Sequence, residues 1–186
     1  MTVLRLVLLI SLVALTARGQ QNSPQQPSAP RRFVPPASCP VTIPPAVPFT
    51  PPRPYPDELG EDSFWLGTEK LWIDRPKSGI WEGWKPHEPG REQGVQPLTA
   101  KTFWWSVDYD PHREGNPDLK VTGRRLDGEA PPLLANEATN AFPSPATAML
   151  VGVYVPTSGC WEITGAYKGQ KLSFVVWVQP VKQRNQ

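Results

Sequence analysis

The chain changes character twice. A short apolar run near the start gives way to a proline-punctuated stretch, and then to a body in which apolar and polar residues alternate over short spans. In the body, Phe64-Trp65-Leu66, Lys70 to Asp74, Gly79 to Trp84, Thr102 to Tyr109 and Leu119 to Leu126 read as strands. A short strand is expected near Leu133 to Glu137. Thr147 to Val155 is apolar on both faces, as in a central strand. Cys160 to Tyr167 and Lys171 to Val178 flank Lys168-Gly169-Gln170 and predict a hairpin with glycine in its turn. On the last strand Leu172, Phe174, Val176 and Val178 share one face. Many short strands, Pro and Gly punctuation and no sustained helical period predict an all-β, immunoglobulin-like antiparallel β-sandwich with an extended Pro-rich N-terminal leader.

The first run sets the compartment. Arg5, the apolar stretch Leu6 to Leu15 and the small residues of Ala17-Arg18-Gly19 have the form of an export signal, expected to occupy residues 1–19. The run is too short for an ordinary membrane span, and no later segment is apolar enough to make one. The expected address is therefore periplasmic or extracellular, with no integral membrane span after signal removal. Residues 20–56 form the leader, in which 13 of the 25 prolines lie. Proline fixes φ and removes backbone donors, so the leader is expected to be extended. Cys39 to Tyr55, which carries Val41, Ile43, Val47 and Phe49, is expected to lie along the domain surface. The sandwich is expected over residues 57–182, long enough for one substantial core.

Charge narrows the partners. The formal net charge of +2 comes from Arg5 and Arg18, and their removal leaves 17 basic residues against 17 acidic ones. A neutral chain without cationic clusters argues against nucleic acid as a partner. In an exported chain an even cysteine count favours a disulfide, here Cys39 to Cys160, which would clip the leader to the body.

Pro156 to Gly165, containing Gly159-Cys160-Trp161-Glu162-Ile163-Thr164-Gly165, together with Leu172 to Val176, resembles the C-terminal signature of a group of exported bacterial proteins without known function. Cys39-Pro40-Val41-Thr42, Gly123 to Asp127 and Ala130-Pro131-Pro132-Leu133 resemble other recurrent pieces of that group, whereas His87 to Gln96 fits it poorly. The last two strands also look like the closing hairpin of immunoglobulin-like domains. The resemblance implies a fold and a compartment, and no activity.

Candidate chemistry is sparse. Asp108, Asp110, Glu114 and Asp118 punctuate a loop that a hard cation could use. The EF-hand pattern fails there, because Arg113 holds the glycine position and Leu119 the final glutamate position. No metal and no cofactor is expected. No nucleophile elbow is present, and His87 and His112 sit in loop sequence. Glu82, Asp108, Glu114 and Glu162 are the acids a glycoside hydrolase would have to draw on. Arg125 shares strand parity with Leu119 and Val121, so a register-fixing ion pair with Glu162 is expected.

The tryptophans carry the binding argument. Trp104 and Trp105 are adjacent on a strand and must point to opposite faces. Trp177 lies opposite in parity to Phe174 and Val176. Some aromatics must therefore lie outside the core, either under the leader or in a ligand platform drawn from Trp81, Trp84, Trp104, Trp105 and Trp177. The expectation is a non-catalytic binding or structural module of the envelope or extracellular space, with an unknown protein or glycan of the cell envelope as partner. The alternatives are a carbohydrate-binding module using exposed tryptophans and a hydrolase with carboxylate catalysis.

Overall fold

A computed structural model describes residues 33–55, 59–84, 100–142 and 146–180. The expected export signal, the first part of the leader and the His87 to Gln96 segment lie outside these, as does the side chain of Trp84. No helix occurs among the described residues. The described residues form ten strands: β1 (Ser63–Gly67), β2 (Trp72–Pro76), β3 (Ile80–Trp84), β4 (Ala100–Trp105), β5 (Lys120–Arg125), β6 (Leu134–Ala135), β7 (Thr139–Ala141), β8 (Ala148–Tyr154), β9 (Gly159–Tyr167) and β10 (Gln170–Pro180).

The strands make two sheets. One runs β1-β2-β4-β8-β6, with β7 also on β8; the other runs β3-β10-β9-β5. The succession β2-β4-β8-β6 against β5-β9-β10 is the strand order of an immunoglobulin-like sandwich. Two additions stand beside it: β1 precedes that set, and β3 pairs with β10 in parallel. The β9–β10 turn places both Lys168 (φ 44°) and Gly169 (φ 79°) in the left-handed region, as a two-residue hairpin turn requires.

Strand parity decides what the two sheets bury between them. Ile73, Trp104, Met149, Val151 and Val153 face inward from one sheet; Val121, Trp161, Ile163, Phe174, Val176 and Val178 face them from the other. Trp104 closes this core against a backbone: a Cβ on Gly165 would stand 2.5 Å from its ring. Its indole N–H donates to Thr102 Oγ1 (3.0 Å), and that hydroxyl donates to the Val151 carbonyl (3.1 Å), so a large polar-tipped ring is buried without an orphan donor.

One charge sits in the core. Arg75 faces inward beside Phe64, with its guanidinium carbon 3.9 Å from the Phe174 ring centroid and 5.0 Å from that of Trp81. Burial pushes its pKa down to about 9, opposed by the neighbouring Asp74 carboxylate. Nη2 has no hydrogen-bond partner. Ring faces replace part of its hydration.

The leader residues 33–55 form one compact unit with the sandwich, so the body begins well before Asp57. Cys39 and Cys160 are bonded, with their Cα atoms 5.6 Å apart. Cys160 pairs across the sheet with Trp177, and both lie on the outer face, because their neighbours Trp161 and Val176 point inward. The disulfide therefore does not pin the sheets together; it fastens the leader over the outside of the second sheet. Phe33 stacks on Trp177 with centroids 6.3 Å apart. Thr42 then joins the edge of β10: its N–H donates to the Val175 carbonyl (2.9 Å), and the Val175 N–H donates to its hydroxyl (2.8 Å). Gly79 makes room for this passage. At φ +65° it also approaches Val41 so closely that a Cβ would meet Val41 Cβ at 2.7 Å.

Two outcomes are expected. The Cys39→Ser/Cys160→Ser double variant should lose about 2–5 kcal/mol in denaturant melts, and limited proteolysis should cut residues 33–42 below the melting temperature of the sandwich. Arg75→Met, which keeps an apolar stem and removes a buried charge, should melt at or above the parent temperature, whereas Arg75→Ala should cost about 2–4 kcal/mol through the void it leaves.

Candidate functional site

The second apolar cluster lies outside the sandwich. Trp72 and Trp105 are register partners of β2 and β4, with parity opposite to Ile73 and Trp104, so both indoles stand on the outer face of the first sheet. Trp65 on β1 and Ala148 on β8 join them. The leader covers part of this face. Tyr55 meets Trp72 edge to face at 4.9 Å and Phe49 lies 6.2 Å from it, contacts worth about 0.5–1.5 kcal/mol each beyond burial.

Beside the covered part is an open cleft of about 320 Å³, lined by Tyr55, Leu59, Trp65, Asp74, Phe103, Trp105, Phe142 and Ala146. Trp65 and Trp105 stand at 87° with centroids 5.0 Å apart, giving two walls at a corner. Phe142 lies parallel to Trp105 (3°, 6.3 Å) and 5.0 Å from Phe103. Phe142 is 54% exposed and holds φ 67°, a conformation rare for a bulky residue and of the kind that clusters at functional sites. The Trp105 indole N–H is already donated to the Ala146 carbonyl (3.1 Å).

Asp74 supplies the cleft's carboxylate. β2 alternation puts it on the same face as Trp72, opposite Arg75. Burial raises its pKa, with Arg75 opposing. Among the described residues no side chain makes a hydrogen bond or ion pair to it. Burial also raises the Tyr55 phenol.

The residues singled out in the sequence separate in space. Trp105 lies in the cleft. Trp81 and Trp104 are core residues, which corrects their place in a platform: Trp81 is the register partner of inward-facing Val178, and Trp104 packs on Gly165. Trp177 is on the other sheet, under Phe33. The expected Arg125–Glu162 pair is corrected by one position. The β5–β9 register sets Arg124 opposite Glu162, and these two bond at 2.7 Å on the outer face. Arg125 keeps the inward parity of Val121 but stands at the end of its strand, where it bonds Asp127 at 2.7 Å.

The acidic loop is held by cations of the protein. Asp108 pairs with Lys70, Asp110 with Arg113 and Asp118 with Lys120. Among the described residues no group of three or more His, Cys, Asp or Glu side chains is placed to hold a metal ion. Glu114 accepts from the Tyr167 hydroxyl (2.8 Å) and from Lys168, whose ammonium also donates to the Asp108 carbonyl (2.6 Å). This network ties the loop to the β9–β10 turn. Glu82 is engaged separately, accepting from Gln179 Nε2 at 2.8 Å. The four acids considered for hydrolysis thus have four different partners.

No known family model, curated protein or solved structure matches the chain. Tyr55, Trp65, Asp74, Phe103 and Phe142 were not singled out by sequence reasoning. Asp74 was legible only as a polar residue within a strand, and Phe142 carried no signal.

The loop network fixes a pH dependence. Burial and the bond to Glu114 raise the Tyr167 phenol to about 12 from 10.0, and bonding to Glu114 also raises Lys168. A raised folded pKa contributes stability below about pH 10 and loses it as pH climbs towards 12. Glu114 is lowered from 4.5, chiefly by its bond with Lys168, so its contribution is present above pH 4.5 and lost as pH falls below that value. Melting temperature measured against pH should fall between pH 10 and 12, and Tyr167→Phe should flatten that fall.

Proposed function

We propose that the chain is an exported, non-catalytic binding module of the cell envelope or extracellular space, and that it takes its ligand in the aromatic cleft on the outer face of the first sheet. The observation that carries this reading is the cleft itself: aromatic rings line it, those of Trp65 and Trp105 mostly buried in its wall, beside a carboxylate to which no described side chain bonds, with a strained, exposed phenylalanine at the rim. The disulfide suits an oxidising compartment. The resemblance of the Gly159 to Gly165 run to exported bacterial proteins agrees with that address. The separate pairing of Glu82, Asp108, Glu114 and Glu162 favours binding over carboxylate hydrolysis, which needs two acids facing one bond.

A carbohydrate ligand is the second reading, supported by Trp65 and Trp105 as apolar ring walls. The test is an indole-region NMR titration with soluble glycans and a mixture of small organic fragments. A ligand of this module should shift the Trp105 and Trp65 indole resonances and leave Trp104 unmoved. Phe142→Ala should weaken that ligand at least tenfold. Shifts confined to Trp177, or a silent cleft across every panel, would overturn the reading.

A further inference from the structure

We propose that the cleft takes a methylated ammonium group, a quaternary or trimethylated nitrogen carried on a short tether. This rests on the reading of the cleft as the ligand site, and deepens it to a ligand class.

The walls and the hydrogen-bond inventory lead to the same chemistry. Trp65 and Trp105, packed at 87°, line one cleft together with Phe103 and the exposed Phe142, so its lining is mainly aromatic. The negative face of an aromatic ring attracts a cation, and the attraction grows when the site is shielded from water. Among the described lining residues the charged group is the Asp74 carboxylate, whose sign matches a cation; the Tyr55 phenol beside it is neutral. Among the described residues no basic side chain lines it. Arg75, whose charge acts on Asp74 from behind, turns its guanidinium into the core against Phe174 and Trp81 and so does not line the cleft.

Donor counting then separates the cations. A primary ammonium brings three N–H donors and a guanidinium five, and each donor left unbonded in an apolar site is costly. The described side chains of the cleft present few acceptors: one carboxylate and the Tyr55 oxygen, while the Ala146 carbonyl is taken by Trp105. A quaternary ammonium brings no donors and is weakly hydrated, so it leaves water at low cost and keeps the full attraction of rings and carboxylate. Sugar hydroxyls need both donors and acceptors, and the Trp105 N–H that would serve them is occupied. At about 320 Å³ the cleft is at the small end of ligand sites, the scale of a head group rather than of an extended chain.

The experiment titrates the full mature protein with tetramethylammonium chloride. Parallel arms use butylammonium, which keeps the charge and adds donors, and tert-butanol, a neutral body of similar shape, all at matched ionic strength. The readout is the Trp105 and Trp65 indole resonances. Tetramethylammonium should bind saturably and at least tenfold more tightly than either comparator. Asp74→Asn, whose melting curve confirms its fold, should weaken it at least tenfold, and Phe142→Ala should do the same. A peptide bearing trimethyl-lysine against free choline then distinguishes a protein-borne head group from a small molecule. The proposal is overturned if tert-butanol binds as tightly, if Asp74→Asn binds tetramethylammonium unchanged, or if tetramethylammonium leaves both indoles unmoved. Glycan or neutral-fragment shifts at the same indoles in any of those cases would leave the cleft standing as a ligand site with a different ligand.

Discussion

A two-sheet sandwich hides one face of each sheet and leaves the other to solvent, yet this chain places indoles on both faces of both sheets. Trp104 and Trp161 fill the space between the sheets, while Trp72 and Trp105 stand outside the first sheet and Trp177 outside the second. So much outward aromatic surface cannot be left bare without inviting association. The leader answers that constraint. Phe33 covers Trp177, the disulfide fixes the chain over Cys160, Thr42 hooks the β10 edge, and Phe49 with Tyr55 closes over Trp72. What reads in sequence as a proline-rich spacer is, from Phe33 onward, a third layer.

Proline suits this role for a physical reason. A strap across two outer faces must stay extended and must not demand ladder hydrogen bonds that the sheets have already used. The leader accordingly makes its sheet-edge contact at one non-proline residue, Thr42. The cleft is the part of the outer face that this strap leaves open, bounded by the same Tyr55 that seals Trp72.

Period-two alternation made the sandwich, the hairpin turn and the opposed faces of Trp104 and Trp105 legible in the sequence. Compartment logic made the disulfide legible. What failed was the assignment of faces and partners across strands. Arg125 has the inward parity of Val121, whereas Glu162, between inward-facing Trp161 and Ile163, points outward and so meets its register partner Arg124 instead. Trp81 could not be assigned to the core without knowing that β3 lies parallel to β10. The cleft was the least legible element. Tyr55, Trp65, Asp74, Trp105 and Phe142 come from five separate segments, and only the folded sheet with its strap brings them together. The buried Arg75 was equally silent, because a charged residue next to last in β2 reads as a surface position until Phe174 is placed beneath it.

The contact at Thr42 also concerns how copies of the chain behave towards one another. β3 pairs with β10 only from Trp177 onward, so the earlier half of β10 would otherwise present free backbone groups along a strand rich in Val and Phe. Such an edge is a template for another chain. Thr42 occupies it at Val175, tethered nearby by Cys39. Oxidation of the cysteines is thus also a sealing step: before it the edge is guarded only by a loosely held strap, and after it the strand that could recruit a neighbour is capped by the chain's own leader.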